Sequence, residues 1–438
     1  MALLFFLCAL LACLALSAAD LVRGNPANYG KVLDFSSLGA TADDMSLTVC
    51  EANSRLFQDA LNALTYGDMF VVPGSVYCVQ GGIEVKGMRG GTVRIDGELR
   101  FQDDRDAWPK NEDGTVKEAI MMYDIEDVVF TSSPENAAAG KRGILNGQGR
   151  KWWGAIRMLK HGEDRPRLWH IIKSKNIHIE YLLLLDSAYW SFLGEQSDGL
   201  RIQWSDVSAR ITELDRHDLY DLTAFNTDGF DFSGRNIWIS DCNVWCQDDC
   251  FTVKDDPVAS RDILVERVNC SGLGLVVGSI GQSKVQNVTF RNAYLHHSYK
   301  GIYLKSRWND LGPQPDDVYI KDILFEHIVI EKPEQWAIWL GPAQQTGQPC
   351  SLLWPNHHGE CKMSAAMTWS NIVLRNITVI DPKQSPGVLF GNASNPITGL
   401  VFDNVVVKNP KKDPFENFWF CQDVEITVSG SEPVPKCV

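Results

Sequence analysis

One short phrase returns seven times and constrains the fold more than anything else in the chain. It opens on a polar residue or glycine and continues apolar-x-apolar: Asn176-Ile-His-Ile, Asn236-Ile-Trp-Ile, Asp262-Ile-Leu-Val, Asn287-Val-Thr-Phe, Asp322-Ile-Leu-Phe, Asn371-Ile-Val-Leu and Gly399-Leu-Val-Phe. Successive copies lie 60, 26, 25, 35, 49 and 28 residues apart. The shorter intervals suit one coil of a wound β-chain, 60 suits two or more, and 49 carries an insertion around Gln344 to Lys362. A unit of this kind cannot bury its apolar face alone and must stack on the next copy. The reading is a β-solenoid, with the polar residue that opens each copy expected to form an interior ladder along the turn. Leucine-rich repeats do not fit, because their fixed Leu-x-x-Leu-x-Leu spacing is absent. Short β-branched runs such as Phe70 to Val72, Val93 to Ile95 and Val128 to Phe130 extend the pattern upstream. Before them, Val32 to Phe35 reads as a strand. Residues 52–64 read as a helix with Leu56, Phe57, Ala60, Leu61 and Leu64 on one face. Such a helix would cap the open end of the first coil.

The 438 residues, 45% apolar, suffice for one continuous core, and no Pro-, Ser- or Gly-rich linker divides them, so residues 20–438 read as a single domain. A formal charge of −14 argues against nucleic acid or an anionic membrane as partner; an acidic polysaccharide would need local Lys and Arg. Residues 1–19 read as a secretory signal peptide: an apolar run from Leu3 to Leu16, then Ser17-Ala18-Ala19 with cleavage after Ala19. The expected product is a secreted, extracellular monomer with no membrane segment after cleavage. Cleavage removes Cys8 and Cys13 and leaves ten cysteines for an oxidising compartment. Proximity pairs Cys50 with Cys78, Cys250 with Cys270, Cys350 with Cys361 and Cys421 with Cys437, leaving Cys242 and Cys246 over. In an extended strand those two would sit roughly 13 Å apart, too far to bridge, so either the chain turns between them or one is free. Sequons at Asn269, Asn287, Asn376 and Asn392 are compatible with glycosylation.

The chemistry concentrates between Asn226 and Cys250, in Asn226-Thr-Asp-Gly229 and Gln247-Asp-Asp-Cys250. Asp228 and Asp248 are 20 residues apart, about one coil, which puts them on neighbouring rungs. Rungs are separated by roughly 4.8 Å. Carboxylates forced that close cannot all ionise, so one should keep its proton near neutral pH. A protonated acid beside an ionised base is the equipment for hydrolysing a glycosidic bond.

These two motifs resemble those of the polygalacturonase and rhamnogalacturonase family of glycoside hydrolases (family 28). Gly143 to Gly149 with Trp152 and Trp153, Arg165 to Leu168, and Asp186 to Trp190 resemble further phrases of it, with the tryptophans read as packing. The resemblance implies an all-β, single-stranded right-handed parallel β-helix and inverting hydrolysis of pectic polysaccharide. It implies Asp248 as general acid, with Asp228 and Asp249 activating water, and it supports Cys250–Cys270 most directly. The chain departs from the polygalacturonase pattern at two places. Leu273 stands where that pattern has histidine, and Tyr303 stands where it has arginine, while Lys305 is retained. Thr252-Val-Lys254 resembles a phrase of rhamnogalacturonan hydrolases. Lys305, Tyr303, Asn226 and Lys254 are the expected substrate contacts; Lys300, Arg307 and Trp308 fall close by. His296-His297 reads as loop or edge and Asp255-Asp256 as a turn. No motif implies a metal or cofactor. The alternative function is a secreted carbohydrate-binding solenoid that has lost turnover.

Overall fold

The residue that opens each phrase explains the repeat. Asn176, Asn236, Asp262, Asn287, Asp322 and Asn371 all adopt φ between 51° and 58°, and Gly399 adopts 61°. This left-handed corner admits Asn, Asp and Gly and penalises residues with bulkier or branched side chains. The apolar residues that follow are in register from coil to coil: Ile237 with Ile263, Ile263 with Val288, Val288 with Ile323, Ile323 with Ile372, and Ile372 with Leu400. The 60-residue interval contains a further coil, Gly199-Leu-Arg-Ile202, with Leu200 between Ile177 and its successors and Gly199 at φ 82°. Across the 49-residue interval the strands pair directly, so the described residues of the insertion lie outside the stack.

The structure is a computed structural model that describes residues 29–154, 163–210, 224–308, 318–345, 350–355 and 360–438. The signal segment expected at residues 1–19 lies outside the described residues. All the pairings between named strands are parallel, and among the described residues they join 28 strands in one continuous system. The chain is a right-handed parallel β-helix, the hand that strand twist favours for parallel crossovers. Its interior is a file of stacked apolar side chains; Phe290 and Phe325 stack face to face at 4.9 Å. The corner ladder exists, but it runs along the outside. Asn176 donates to Asp127 (2.6 Å), Asn287 to Asp262 (2.7 Å) and Asn371 to Asp322 (2.6 Å), all exposed. The interior placement expected from sequence was wrong because a left-handed corner turns its side chain away from the core.

The cap is a helix, α1, spanning Leu47–Ala63 and so starting before residue 52. It buries Phe57, Ala60 and Leu61 and is tied to the first coil by the Cys50–Cys78 disulfide and by Asn53, which donates to the Cys78 carbonyl (2.9 Å). Cys350–Cys361 and Cys421–Cys437 also form. Cys250–Cys270 does not: Cys242, Cys246, Cys250 and Cys270 are all buried free thiols. Cys250 Sγ lies 4.0 Å from Cys246 Sγ, and Cys246 donates to the Asp248 carbonyl (3.2 Å), so the thiols are absorbed into the packing beneath the acidic turn. Trp152 and Trp153 are buried, as packing residues are expected to be.

Seven strands of one face carry the site. They are β1 (Trp169–Ile172), β2 (Phe192–Gln203), β3 (Phe230–Ser240), β4 (Phe251–Val253), β5 (Leu275–Ile280), β6 (Ile302–Ser306) and β7 (Ile338–Pro342). Their first residues are mutual partners from β1 to β7. Equal offsets from those residues therefore share one column along the axis.

Candidate active site

Two positions before each strand lies the column Arg167, Trp190, Asp228, Asp249, Leu273, Lys300 and Trp336. Asp228 and Asp249 are thus direct neighbours on consecutive rungs, and Asp248 precedes Asp249 in the same turn. Backbone and side chains stitch the two motifs together. The Gly229 N–H donates to the Asp249 carbonyl (2.8 Å), the Gln247 N–H to Thr227 Oγ1 (3.1 Å), and the Ala224 N–H to Gln247 Oε1 (2.8 Å). Gly229 is required by this approach, since a Cβ there would stand 2.4 Å from the Cys250 carbonyl oxygen. One oxygen from each of the three carboxylates falls within 4.8 Å of the others.

Charge is shared unequally among them. Lys305 Nζ contacts both Asp249 oxygens, at 3.0 and 2.9 Å. Lys254 Nζ lies 2.7 Å from Asp228, 3.3 Å from Asp249 and 3.3 Å from Asp231. Among the described residues no ion pair reaches Asp248. It accepts the Asp249 backbone N–H (2.8 Å), and Asn226 Nδ2 stands 3.5 Å away. Asp248 is the partly exposed member; Asp228 and Asp249 are buried. The titrations diverge accordingly. Desolvation, then the charges of Asp228 and Asp249, push the Asp248 carboxyl up to about 8. Burial also works to raise Asp249, but the Lys305 and Lys254 ammonium groups outweigh it and hold that carboxyl below the usual range. Burial raises Asp228 against the pull of Lys254. Near neutral pH the arrangement keeps a proton on Asp248 and a negative charge on Asp249.

The expected substrate contacts are thereby redistributed. Lys254, Lys305 and Asn226 turn their nitrogens to the acids. Tyr303 is not a platform open to sugar, because only 2% of it is exposed. Its hydroxyl accepts the Gln344 N–H (3.0 Å), and its ring packs edge-on to Trp339 at 6.4 Å. Asp255 and Asp256 serve a turn, accepting hydrogen bonds from Ser283 and from Ser233 and Val258. Sequence reasoning passed over Asp231, which is fully buried, with no hydrogen bond to either carboxylate oxygen and Lys254 as its ion partner. The signal was present in Phe230-Asp-Phe232: strand alternation turns Asp231 away from the two phenylalanines, toward the side that carries Lys254.

The family described as Glycosyl hydrolases family 28 matches residues 68–430. The chain belongs to this family. It is a glycoside hydrolase. A family member named as a probable polygalacturonase, from Vitis vinifera, is 25% identical, over 93% of this chain and 80% of that protein. A probable rhamnogalacturonase C from Aspergillus flavus is 26% identical, over 78% of this chain and 68% of its own length. Among solved structures, the polygalacturonase from Erwinia carotovora ssp. carotovora superposes with a TM-score of 0.63 at 17% identity, over 91% of this chain and 97% of that one. The exopolygalacturonase from Thermotoga maritima gives 0.61 at 15% identity, over 92% and 91%. Likeness at that identity speaks for the family-28 coil architecture alone.

Proposed function

We propose that the protein is a secreted hydrolase of pectic polysaccharide in which Asp248 is the general acid and Asp249, with Asp228, is the base that activates water. The division of charge carries this reading: two ammonium groups converge on Asp249 while Asp248 has none and retains its proton. Asp248 is also the partly exposed acid, in the position to meet a glycosidic oxygen. Proton donation to the leaving oxygen by a carboxyl poised near neutral pH is what such a bond requires. Lys254 stands beside both Asp228 and Asp249, so Leu273 in place of the family's histidine does not leave the base without a partner. This favours turnover over the reading of a binding protein that has lost it.

The substrate is proposed to be a modified pectic chain of the rhamnogalacturonan kind ahead of plain polygalacturonan. Lys254 and Lys305 are committed to the acids and Tyr303 replaces the arginine, so none of these three positions supplies a bidentate clamp for a second uronate carboxylate. Incubating the protein with polygalacturonan and with rhamnogalacturonan and measuring reducing ends tests both levels. Release from neither removes the hydrolase assignment; faster release from polygalacturonan removes the preference.

Inversion is proposed from the resemblance. One oxygen of each carboxylate lies within 4.8 Å of the others, a closeness nearer the narrow class of glycosidases, so the anomer of the first product, read by proton NMR, decides it. Residues 20–438 are proposed to act as one monomeric unit outside the cell, where three disulfides persist.

A further inference from the structure

Among the described residues, the groove is open on one side of the acids and walled on the other. In the column two positions before each strand, Arg167 and Trp190 are partly exposed upstream of Asp228, and Leu273 is partly exposed just beyond Asp249. The next two positions, Lys300 and Trp336, lie among packed aromatic side chains.

The wall is built from side chains remote in sequence. Trp336 stacks on Phe415 at 5.5 Å, and Trp339 meets Trp354 at 5.9 Å. The Cys350–Cys361 disulfide ties the segment that carries Trp354, and the Gln344 N–H bonds to the Tyr303 hydroxyl. Lys300 is sealed beneath, its ammonium 4.7 Å from the Tyr303 ring centre and bonded to Gln335. An aromatic cluster packed this closely, with its loop closed by a disulfide, is a fixed boundary, since tight packing leaves no cheap route to open it.

We propose that this wall makes the protein a chain-end enzyme: the polysaccharide enters along Arg167 and Trp190 and stops on the rung of Leu273. The open path covers two rungs before Asp228 but one after Asp249, and each rung is roughly 4.8 Å of axis. Past the scissile bond there is room for about one ring at that rise, resting on the apolar face of Leu273. The sugar bound there is therefore a terminal one, and products leave with one uniform length. This inference rests on the proposed hydrolysis of pectic chains for its product readout and on the groove alone for its binding readout.

Two measurements separate them. Wild-type protein acting on a polymeric substrate should release a single short product from the earliest time points, with viscosity falling slowly. Asp248→Asn should bind a pectic hexasaccharide, and a bulky fluorophore coupled to one end should weaken binding at least tenfold while the same group on the other end is tolerated. A ladder of early products with a rapid viscosity drop overturns the proposal. So does equal tolerance of both labelled ends, or failure to bind the hexasaccharide at all. One-sided tolerance without any product in the first measurement supports the closed end while removing the hydrolase reading.

Discussion

The long strands Lys284–His296, Tyr319–Glu331 and Thr368–Ile380 and the strands that carry the site are made from the same strand-and-corner unit, taken to opposite ends. The former pair without a register shift, and inward residues such as Ile323, Phe325 and Leu374 are essentially fully buried. In the latter, β4 has three residues, and the β2–β3 and β5–β6 pairings both slip. The outward face there buries Asp228, Asp231, Asp249 and Lys305, with Lys254 partly buried beside them. Apolar stacking can be repeated without limit and stabilises each coil. Buried charge carries a desolvation cost that its own ion pairs barely offset. The regular coils thus hold the strained chemistry of the site in register, and the contrast can be broken from either side.

The largest effect on activity is expected at Asp248. Asp248→Asn removes the proton donor and should lower kcat by roughly 10²–10⁴-fold. Its stability should move the other way. A carboxyl raised to about 8 from an unfolded value near 3.9 contributes stability that is complete below the unfolded value and is lost as pH rises toward 8. Asp248→Asn lacks that loss, so its Tm should exceed wild type by a margin that widens from pH 4 to pH 8, about the window set by the two values. Thermal melts across that range check the sign.

Lys254→Met is expected to hurt both regions' shared property, because it strips one cation from three buried carboxylates. Breaking a buried pair in this way costs about 3–5 kcal/mol, measurable by denaturant unfolding. With less positive charge beside it, Asp249 should titrate higher, and the acid limb of kcat/KM should shift upward in pH. Leu374→Ala acts on the regular coils alone. It should cost about 2–5 kcal/mol while leaving kcat per folded molecule unchanged; a matching fall in kcat would erase the division of labour. Asn371→Ala removes one exposed rung of the corner ladder and should cost only about 1 kcal/mol. A thiol titration sharpens the picture without touching stability: four thiols should react in denaturant after alkylating the native protein, and two fewer would mean that Cys250 is bonded after all.

The regular coils were almost fully legible in the sequence, because each is specified locally by one Asn, Asp or Gly corner and two inward apolar residues. Gly199-Leu-Arg-Ile202 has the same form as Gly399-Leu-Val-Phe and was legible by the same rule, though the 60-residue interval hid it. The acids were legible for the same reason, since Asp228 and Asp249 sit at fixed offsets from Phe230 and Phe251. What the sequence hid depends on contacts between distant coils. Lys254 reads as a substrate contact until the fold sets it against Asp228, 26 residues earlier. Tyr303 reads as a sugar platform until Trp339 and Gln344 close over it. Cys250 and Cys270 read as a pair until Cys246 is seen to occupy the space beside Cys250.

The central claim is that Asp248 gives a proton and Asp249 takes one. It is tested most directly by comparing Asp248→Asn and Asp249→Asn on two substrates, a pectic oligosaccharide and its aryl glycoside, whose phenolate leaves without protonation. The account predicts that the aryl glycoside restores most of the rate to Asp248→Asn and none to Asp249→Asn, because only the first variant lacks an acid. Rescue of Asp249→Asn in place of Asp248→Asn, or of neither, would contradict it.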